Sequence, residues 1–529
     1  GGRDSFNIMP SVRVFSGAVK GIDAFPIEVE VDSTPGLHLF SIVGLPDKTV
    51  EESKDRIASA IRNSGFIAPS QKNRKIVVNL APADIKKEGP AYDLPIALGY
   101  LLATTQLKFD GKDKVFLGEL SLNGSLRKIS GVLPITLMAK RRGFKEIIVP
   151  QENIGEASIV KDIRVIGVRT LGELADYLKG KTQIEAAETI DYDRFVKEAQ
   201  EKNKDEDLDI SHIKGQENAK RALVIAASGG HNLLLYGPPG SGKTLLAKAL
   251  AGILPRMSQE EALEVTKIYS ICGLVNDQPI ISKRPFRNPH HTTSAVAVTG
   301  GGSWPKPGEI SLAHRGVLFM DELPEFPRNV IEALRQPLES GEIVVSRASS
   351  SVRFPSRFML VGAMNPCPCG NYGDEAKACV CTAQSIYKYQ RKISGPVLDR
   401  IDIQINVPRE TYEKMSGEAE GPKSEEIGQI VAGARQVQQK RFAGTGFQVN
   451  AEMGPREVKK YCQVDEAAEN LIKNAVTSHN LSVRGYHKIL KIARTIADLD
   501  SKDIIQAHHI AEAIAYRIKP ENDPLASAM

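Results

Sequence analysis

Residues 231–254 read HNLLLYGPPGSGKTLLAKALAGIL, and this stretch decides the fold. Leu233 to Tyr236 form an apolar run that predicts a buried strand, and an apolar helix is predicted to follow from Lys243. Between them stands Gly237-Pro238-Pro239-Gly240-Ser241-Gly242-Lys243-Thr244, the G-x-x-x-x-G-K-T phosphate loop in its strand–loop–helix setting. Glycines let backbone N–H groups wrap phosphate oxygens, and the helix N-terminus adds the positive end of its dipole. Lys243 is expected to reach the β- and γ-phosphates of a nucleotide, and Thr244 to offer its hydroxyl to Mg²⁺. A Gly-rich turn that held GKT by chance would lack both flanking elements.

Outward from this loop, two more apolar strands end in polar side chains. Gly316-Val-Leu-Phe-Met-Asp321-Glu322 ends in two carboxylates. Asp321 suits the Mg²⁺ shell, and Glu322 suits the orientation and polarisation of an attacking water. Phe358-Met-Leu-Val-Gly-Ala-Met-Asn365 ends in an amide that can hydrogen-bond the γ-phosphate or that water. From Ile213 to about Val407, strands and helices alternate as in a parallel-sheet α/β domain. Beyond Pro408 the pattern turns helical, with Val483, Tyr486, Leu490, Ala493 and Ala497 on one stripe and Ile510, Ala513, Ile514 and Arg517 on another short helix.

Toward the N-terminus, VRVFSGAV, FPIEVEVD, LHLFSIVG and KIVVNLAP read as strands, and Asp47 to Ser64 has helical spacing with Val50, Ile57 and Ile61 on one face. The domain plan is therefore residues 1–9 as a tag remnant or disordered end, 10–180 as an α+β domain, 181–211 as a charged linker, 212–410 as the nucleotide-binding core and 411–529 as a helical domain. With 41% hydrophobic and 25% charged residues the chain has the balance of a soluble globular protein, and it holds no apolar run near the ~20 residues that cross a bilayer. Six cysteines in 529 residues make no disulfide framework, so a reducing cytoplasm is the expected location. A net charge of +5 permits nucleic-acid binding without requiring it.

Several longer stretches carry a family resemblance: GPPGSGKT, RPFRNPHHTTS, GGGSWPKPGEISLAHRGVLFMDELPEF, LRQPLESG, NPCPCG, ISGPVLDRIDI and SVRGYHKILKIARTIADL. Together they resemble the magnesium-chelatase-like AAA+ ATPases of the bacterial YifB/ComM type, from the N-terminal domain to the C-terminal helices. The resemblance implies an α/β multidomain protein: an N-terminal Lon-protease-like α+β domain, a central AAA+ P-loop α/β domain and a C-terminal helical lid. It also implies a ring, expected to be a hexamer, with ATP and Mg²⁺ at sites completed by a neighbouring subunit. Arg400 in LDRID matches the arginine finger, and Arg484 in SVRGYH matches the sensor arginine of the lid.

ComM-type members are associated with DNA branch migration during uptake and recombination of foreign DNA, whereas true chelatase subunits drive metal insertion into a porphyrin. DNA, single-stranded or branched, is the expected partner; chelatase-type work and an ATP-switched scaffold are the alternatives. The segment from Glu339 to Arg353 reads as a hairpin carrying Arg347 and Arg353, and in related ring helicases a hairpin here touches phosphates in the pore. Lys306 and Trp304, in the Gly300–Lys306 loop, are expected to grip a strand by charge and stacking, or else Trp304 plugs an apolar gap. The pair His290-His291 is read as structural, because neighbours in a regular element cannot face one ion together.

Cys367, Cys369, Cys379 and Cys381 form C-x-C…C-x-C across a short Gly/Asn/Asp-bearing excursion. Four thiolates suffice for a structural tetrahedral Zn²⁺ site; reduced free thiols and adventitious disulfides are the alternatives. In the N-terminal domain, EGPAYDLP (Glu88–Pro95) resembles the turn that presents the Lon serine, but Ala91 stands in its place, and Leu133 falls where the lysine would be. Neither a nucleophile nor a base remains, so protease activity is not expected.

Overall fold

A computed structural model describes residues 12–202, 208–276, 278–302, 305–347, 350–374, 376–410, 421–479 and 481–517. The chain divides into two compact units, one of residues 1–200 and 259–281, the other of 201–258 and 282–529. The sequence plan runs the core unbroken from 212 to 410, whereas the structure groups 259–281 with the N-terminal residues. Residues 1–9, read as a tag remnant or disordered end, lie outside the described residues.

The first unit is built on a seven-stranded mixed sheet. Its strands are β1 (Val12–Lys20), β2 (Asp23–Pro35), β3 (Leu39–Val43), β4 (Arg74–Ala81), β5 (Lys114–Phe116), β8 (Glu146–Pro150) and β9 (Arg164–Val168), in the order β3-β4-β2-β1-β5-β8-β9. A small hairpin of β6 (Glu119–Leu120) and β7 (Leu126–Arg127) lies apart from it. β1 and β2 pair antiparallel, with Val14 opposite Val29, so their alternating apolar residues fall on one buried face. The helix Lys48–Asn63 begins where the Asp47 carboxylate accepts the Val50 N–H at 2.8 Å, and it buries Val50, Ile57 and Ile61 as its spacing predicts. In EGPAYDLP, Gly89 takes φ 81° and starts a short turn, Pro90–Tyr92, that leads into the buried helix Asp93–Ala103. Asp93 is locked by the Arg56 guanidinium at 3.0 and 3.2 Å, so this turn is held by a fork of charge-assisted bonds.

The helix Gln259–Ile271 follows the phosphate-loop helix in sequence but belongs to the first unit. Its buried Ala262, Val265 and Ile268 share that unit with the helix Val132–Arg141, and the Ser270 carbonyl accepts the Gly131 N–H at 2.9 Å. Glu156 is buried alongside, with its Oε1 accepting from Asn153 at 3.0 Å and its Oε2 without a hydrogen-bond partner. Burial pushes this carboxyl from its ordinary 4.5 up to about 7.

The second unit holds a parallel sheet of β10 (Leu233–Tyr236), β11 (Phe286–Arg287), β12 (Val317–Met320), β15 (Met359–Met364) and β16 (Ile403–Asn406), in the order β11-β12-β15-β10-β16. A hairpin of β13 (Glu342–Arg347) and β14 (Ser350–Pro355) stands as a separate two-stranded sheet. All four residues of β10 and of β12 are buried, as runs covered on both faces must be. The helices Ser424–Arg441, Glu466–His479, Val483–Leu499 and Ala507–Ala515 share one apolar core with this sheet. Leu490, Ala493 and Ala497 are buried, but Val483 is exposed: it opens its helix, one residue after the Ser482 cap.

Candidate active site

The sheet order puts the ends of β10, β12 and β15 side by side, which brings Lys243, Thr244, Asp321 and Asn365 together. The loop after β10 needs glycine first, because a Cβ on Gly237 would lie 2.2 Å from the Val407 carbonyl oxygen. Gly242 takes φ 93° and turns the loop into the helix Lys243–Ile253; Cβ atoms on Gly240 or Gly242 would meet nothing, so open space faces the loop.

Lys243 donates to the carbonyls of Gly237 and Pro238, both at 2.8 Å, and to Asn365 Oδ1 at 3.3 Å. Burial lowers this ammonium to about 8, with Asp321 opposing the shift. Thr244 Oγ1 donates to Asp321 Oδ2 at 2.9 Å, while Asp321 Oδ1 accepts the Glu322 N–H at 2.9 Å. The Thr244 hydroxyl and the Asp321 carboxylate, two hard oxygen donors in contact, are the groups that would hold a Mg²⁺ here. Ser241 Oγ is buried without a hydrogen-bond partner, so the loop keeps one polar atom for a phosphate oxygen. The donor set fits a Mg²⁺-nucleotide.

Glu322 holds φ 51°, a left-handed conformation that costs a non-glycine residue on the order of 1 kcal/mol. Its carboxylate lies 3.2 Å from His291 Nδ1. His290 and His291 stack at 4.2 Å, and His290 Nδ1 meets the Thr292 hydroxyl at 2.8 Å. The structural reading of this pair missed the contact to Glu322, because the two groups are remote in sequence and no local spacing links them.

Arg400 and Arg484 converge elsewhere in the same unit, on Glu339. Arg400 Nη2 meets Glu339 Oε2, Arg484 Nη2 lies 3.5 Å from Oε1, and Arg484 Nη1 lies 3.8 Å from Asp399. Glu339 lies in the last turn of the helix Arg335–Ser340 that leads into the β13–β14 hairpin. Arg347 closes β13 opposite Ser350, and Arg353, on β14, is exposed. Lys306 is exposed and exchanges two 3.1 Å backbone bonds with Gly301. Trp304 lies outside the described residues. Arg287 grips Glu309 by two bonds of 2.6 and 2.7 Å and so ties β11 to the residues that follow the Gly300–Lys306 loop.

The four clustered cysteines come together just past Asn365, with all their sulfurs within 4.8 Å of one another. In the first unit, Ala91 sits in the turn before the helix Asp93–Ala103 with its carbonyl accepting the Gly118 N–H at 3.1 Å, and Leu133 is buried. No helix among the described residues is long and apolar enough to cross a membrane.

Three family models match the chain in succession. That of the magnesium chelatase subunit ChlI covers residues 209–415, a second of subunit ChlI covers 29–153, and the ChlI C-terminal model covers 421–517. The competence protein ComM of Haemophilus influenzae is 43% identical over 95% of this chain and 97% of its own length. The chain belongs to the magnesium-chelatase-like YifB/ComM family. The protein YifB of Escherichia coli is 42% identical, again over 95% of this chain. The magnesium-chelatase 38 kDa subunit of Cereibacter sphaeroides is 31% identical over 30% of this chain and 52% of its own length. A YifB/ComM-family protein is a chelatase-like AAA+ ATPase, which implies ATP and Mg²⁺ as its cofactors.

Proposed function

We propose that this chain is a ring-forming, Mg²⁺- and ATP-dependent DNA motor that works on single-stranded or branched DNA. On this reading it is a cytoplasmic hexamer used in recombination or natural transformation. Lys243 and the loop 237–244 hold the phosphates, Thr244 and Asp321 hold Mg²⁺, Glu322 orients the attacking water, and Asn365 senses the γ-phosphate. Arg400 acts as the finger toward a neighbour's nucleotide, with Arg484 as the lid sensor. The observation that carries the DNA reading is the join at Glu339: one carboxylate receives both arginines and sits at the base of the basic hairpin. A phosphate backbone drawn to Arg347, Arg353 and Lys306 would pull on the same helix end that holds the two arginines.

The N-terminal unit is read as a Lon-like domain kept for assembly or partner binding, since Ala91 and Leu133 supply neither nucleophile nor base. The planned domains, with a linker at 181–211 and a lid from 411, belong to the same reading, as does zinc in the cysteine cluster. A chelatase role is the weaker alternative: the ChlI models span most of this chain, but the 38 kDa chelatase subunit of Cereibacter sphaeroides aligns with 30% of it against 95% for ComM, a competence protein by name. An ATP-switched scaffold is the other.

The deciding experiment is ATP turnover with and without forked DNA. Stimulation is expected, and Arg353→Ala should reduce it by about tenfold while removing roughly one unit of salt dependence. Turnover unmoved by any DNA, at low or moderate salt, would refute the motor reading.

A further inference from the structure

The loop 366–381 contains no helix or strand among its described residues, yet at Gly370 it packs directly against Pro239 of the phosphate loop. Its shape is set by four cysteines, all in the free thiol form. Cys367 and Cys369 sulfurs are 3.4 Å apart, Cys367 and Cys379 3.7 Å, and Cys369 and Cys379 3.6 Å. A tetrahedral Zn²⁺ with sulfurs at ~2.3 Å spaces those sulfurs about 3.8 Å from one another. A disulfide would bring two of them to ~2.05 Å instead. The tight C-x-C spacing is no obstacle, because the ligands come from both ends of the excursion and meet across it.

The cluster is joined to the nucleotide site from three directions. Cys367 is buried two residues after Asn365, whose amide oxygen accepts from Lys243. Gly370 takes φ 83° beside Pro239 of the phosphate loop: a Cβ there would lie 2.6 Å from Pro239 Cδ and 3.8 Å from Asn365 Cγ. The buried Asp374 pairs with Arg409 at 3.1 Å, two residues after the Val407 carbonyl that backs Gly237. Gln390 closes the remaining side by donating to the Pro366 carbonyl at 2.9 Å.

We infer that a Zn²⁺ bound by Cys367, Cys369, Cys379 and Cys381 holds the Asn365 amide and the Pro239 face of the phosphate loop in place, so that nucleotide affinity and ATP turnover depend on the metal. The inference rests on the ATPase reading above and adds a metal requirement to it. The physical reason is that a loop with no regular structure pays conformational entropy to stay ordered, and four metal–sulfur bonds supply what its small apolar content does not. Zinc here is structural in its bonds but acts through position, like the outer groups that orient a reactive centre.

The test begins with metal analysis of the full chain purified under reducing conditions with zinc in the medium. About one zinc per chain is expected; a content near zero overturns the site. Replacing zinc by Co²⁺ should give the near-ultraviolet charge-transfer band of thiolate-bound cobalt, and absence of the band also overturns it. Zinc is then released with an organomercurial, followed with a metal-sensitive dye, and restored with thiol and Zn²⁺. Affinity for a fluorescent ATP analogue and ATP turnover are both expected to fall by about tenfold or more on release and to return on restoration. Metal present with both quantities unmoved by its removal overturns the coupling. Cys381→Ser, at a half-exposed ligand, should repeat the loss; if that variant does not fold, release and restoration in the natural chain give the answer. A chain whose ATP affinity follows the metal but which turns over no ATP in any form would refute the ATPase reading while upholding the metal's hold on nucleotide affinity.

Discussion

Lys488→Met should unfasten the C-terminal helix Val483–Leu499 from the sheet, and the structure fixes how much that costs. Lys488, on the helix Val483–Leu499, lies 2.7 Å from Asp402 Oδ1, just before β16, and only 15% of its side chain is exposed. Asp402 is buried and also accepts the Asn232 N–H at 2.9 Å. Burial alone would raise its pKa, but Lys488 and then His231 outweigh burial and hold the carboxyl well below its usual range. Their attraction at 2.7 Å is about 6 kcal/mol at an effective dielectric of ~20, and desolvation of the two ions cancels most of it. Removing only the lysine keeps the desolvation of Asp402 and loses its partner, a change that costs about 3–5 kcal/mol. At roughly 2 °C per kcal/mol for a unit this large, Tm should fall by about 6–10 °C. The sign of the pH dependence follows. In the natural chain Asp402 contributes stability above its unfolded pKa and loses it only as pH falls through the lowered folded value. In the variant burial dominates, the folded pKa lies above the unfolded one, and stability now falls as pH rises through it. The deficit should therefore be larger at pH 7.5 than at pH 5, and Asp402→Asn added to Lys488→Met should recover much of it. Urea unfolding followed by circular dichroism measures all three chains. A deficit under about 1 kcal/mol, or one that does not depend on pH, would refute the reasoning.

Lys243→Ala should abolish binding of a fluorescent ATP analogue, and Glu322→Gln should bind it but lower turnover by about 10²–10⁴-fold; full hydrolysis in either variant would sink the site. His291→Ala frees the Glu322 carboxylate from a partly exposed contact worth up to about 1 kcal/mol, so DNA-free turnover should rise by roughly two- to fivefold. A tenfold loss in that assay would mean instead that His291 is needed to hold the carboxylate in place. Glu156, pushed from 4.5 to about 7, keeps its proton in the folded state across that window, so its contribution is full below 4.5 and is lost as pH rises through 7. Glu156→Gln should therefore match the natural chain near pH 5 and exceed it by up to about 3 kcal/mol at pH 8 in urea unfolding; equal stability of the two chains at pH 8 would show the carboxyl to be ordinary.

What was legible in the sequence was whatever a short window contains. The run Leu233–Tyr236, the loop to Thr244 and the strand ends at Asp321 and Asn365 each carry their own local pattern, and the parallel sheet brings those three ends together with no further information needed. The spacing of Val50, Ile57 and Ile61 likewise placed a helix whose cap residues flank it at both ends. Val483 shows the limit of periodicity: it sits on the apolar stripe by count, but it opens the helix, where no neighbour covers it. The stripe of Ala262, Val265 and Ile268 announces a buried face without saying which unit buries it, and the structure groups it with residues far upstream.

The site contacts that escaped the sequence join polar side chains across long separations, and they share a physical cause. A carboxylate at a strand end has no local signature for its partner: His291 reaches Glu322, and Glu339 collects Arg400 and Arg484, only because the chain has already folded. Such contacts add little to stability at exposed positions, so no hydrophobic pattern is required to encode them. They matter because each holds a functional side chain in one place. Glu322, in a left-handed conformation beside His291, and Arg400, drawn to Glu339, are both groups whose proposed work needs them to face a nucleotide. A network of this kind costs about as much to break as one or two exposed ion pairs, a few kcal/mol at most, which is within reach of bound DNA or a neighbouring subunit. Substituting Glu339 by Gln would weaken both arginine contacts at once, and if the join transmits hairpin engagement to the arginines, DNA stimulation of turnover should fall by more than basal turnover changes. Equal effects on both would assign Glu339 to folding alone.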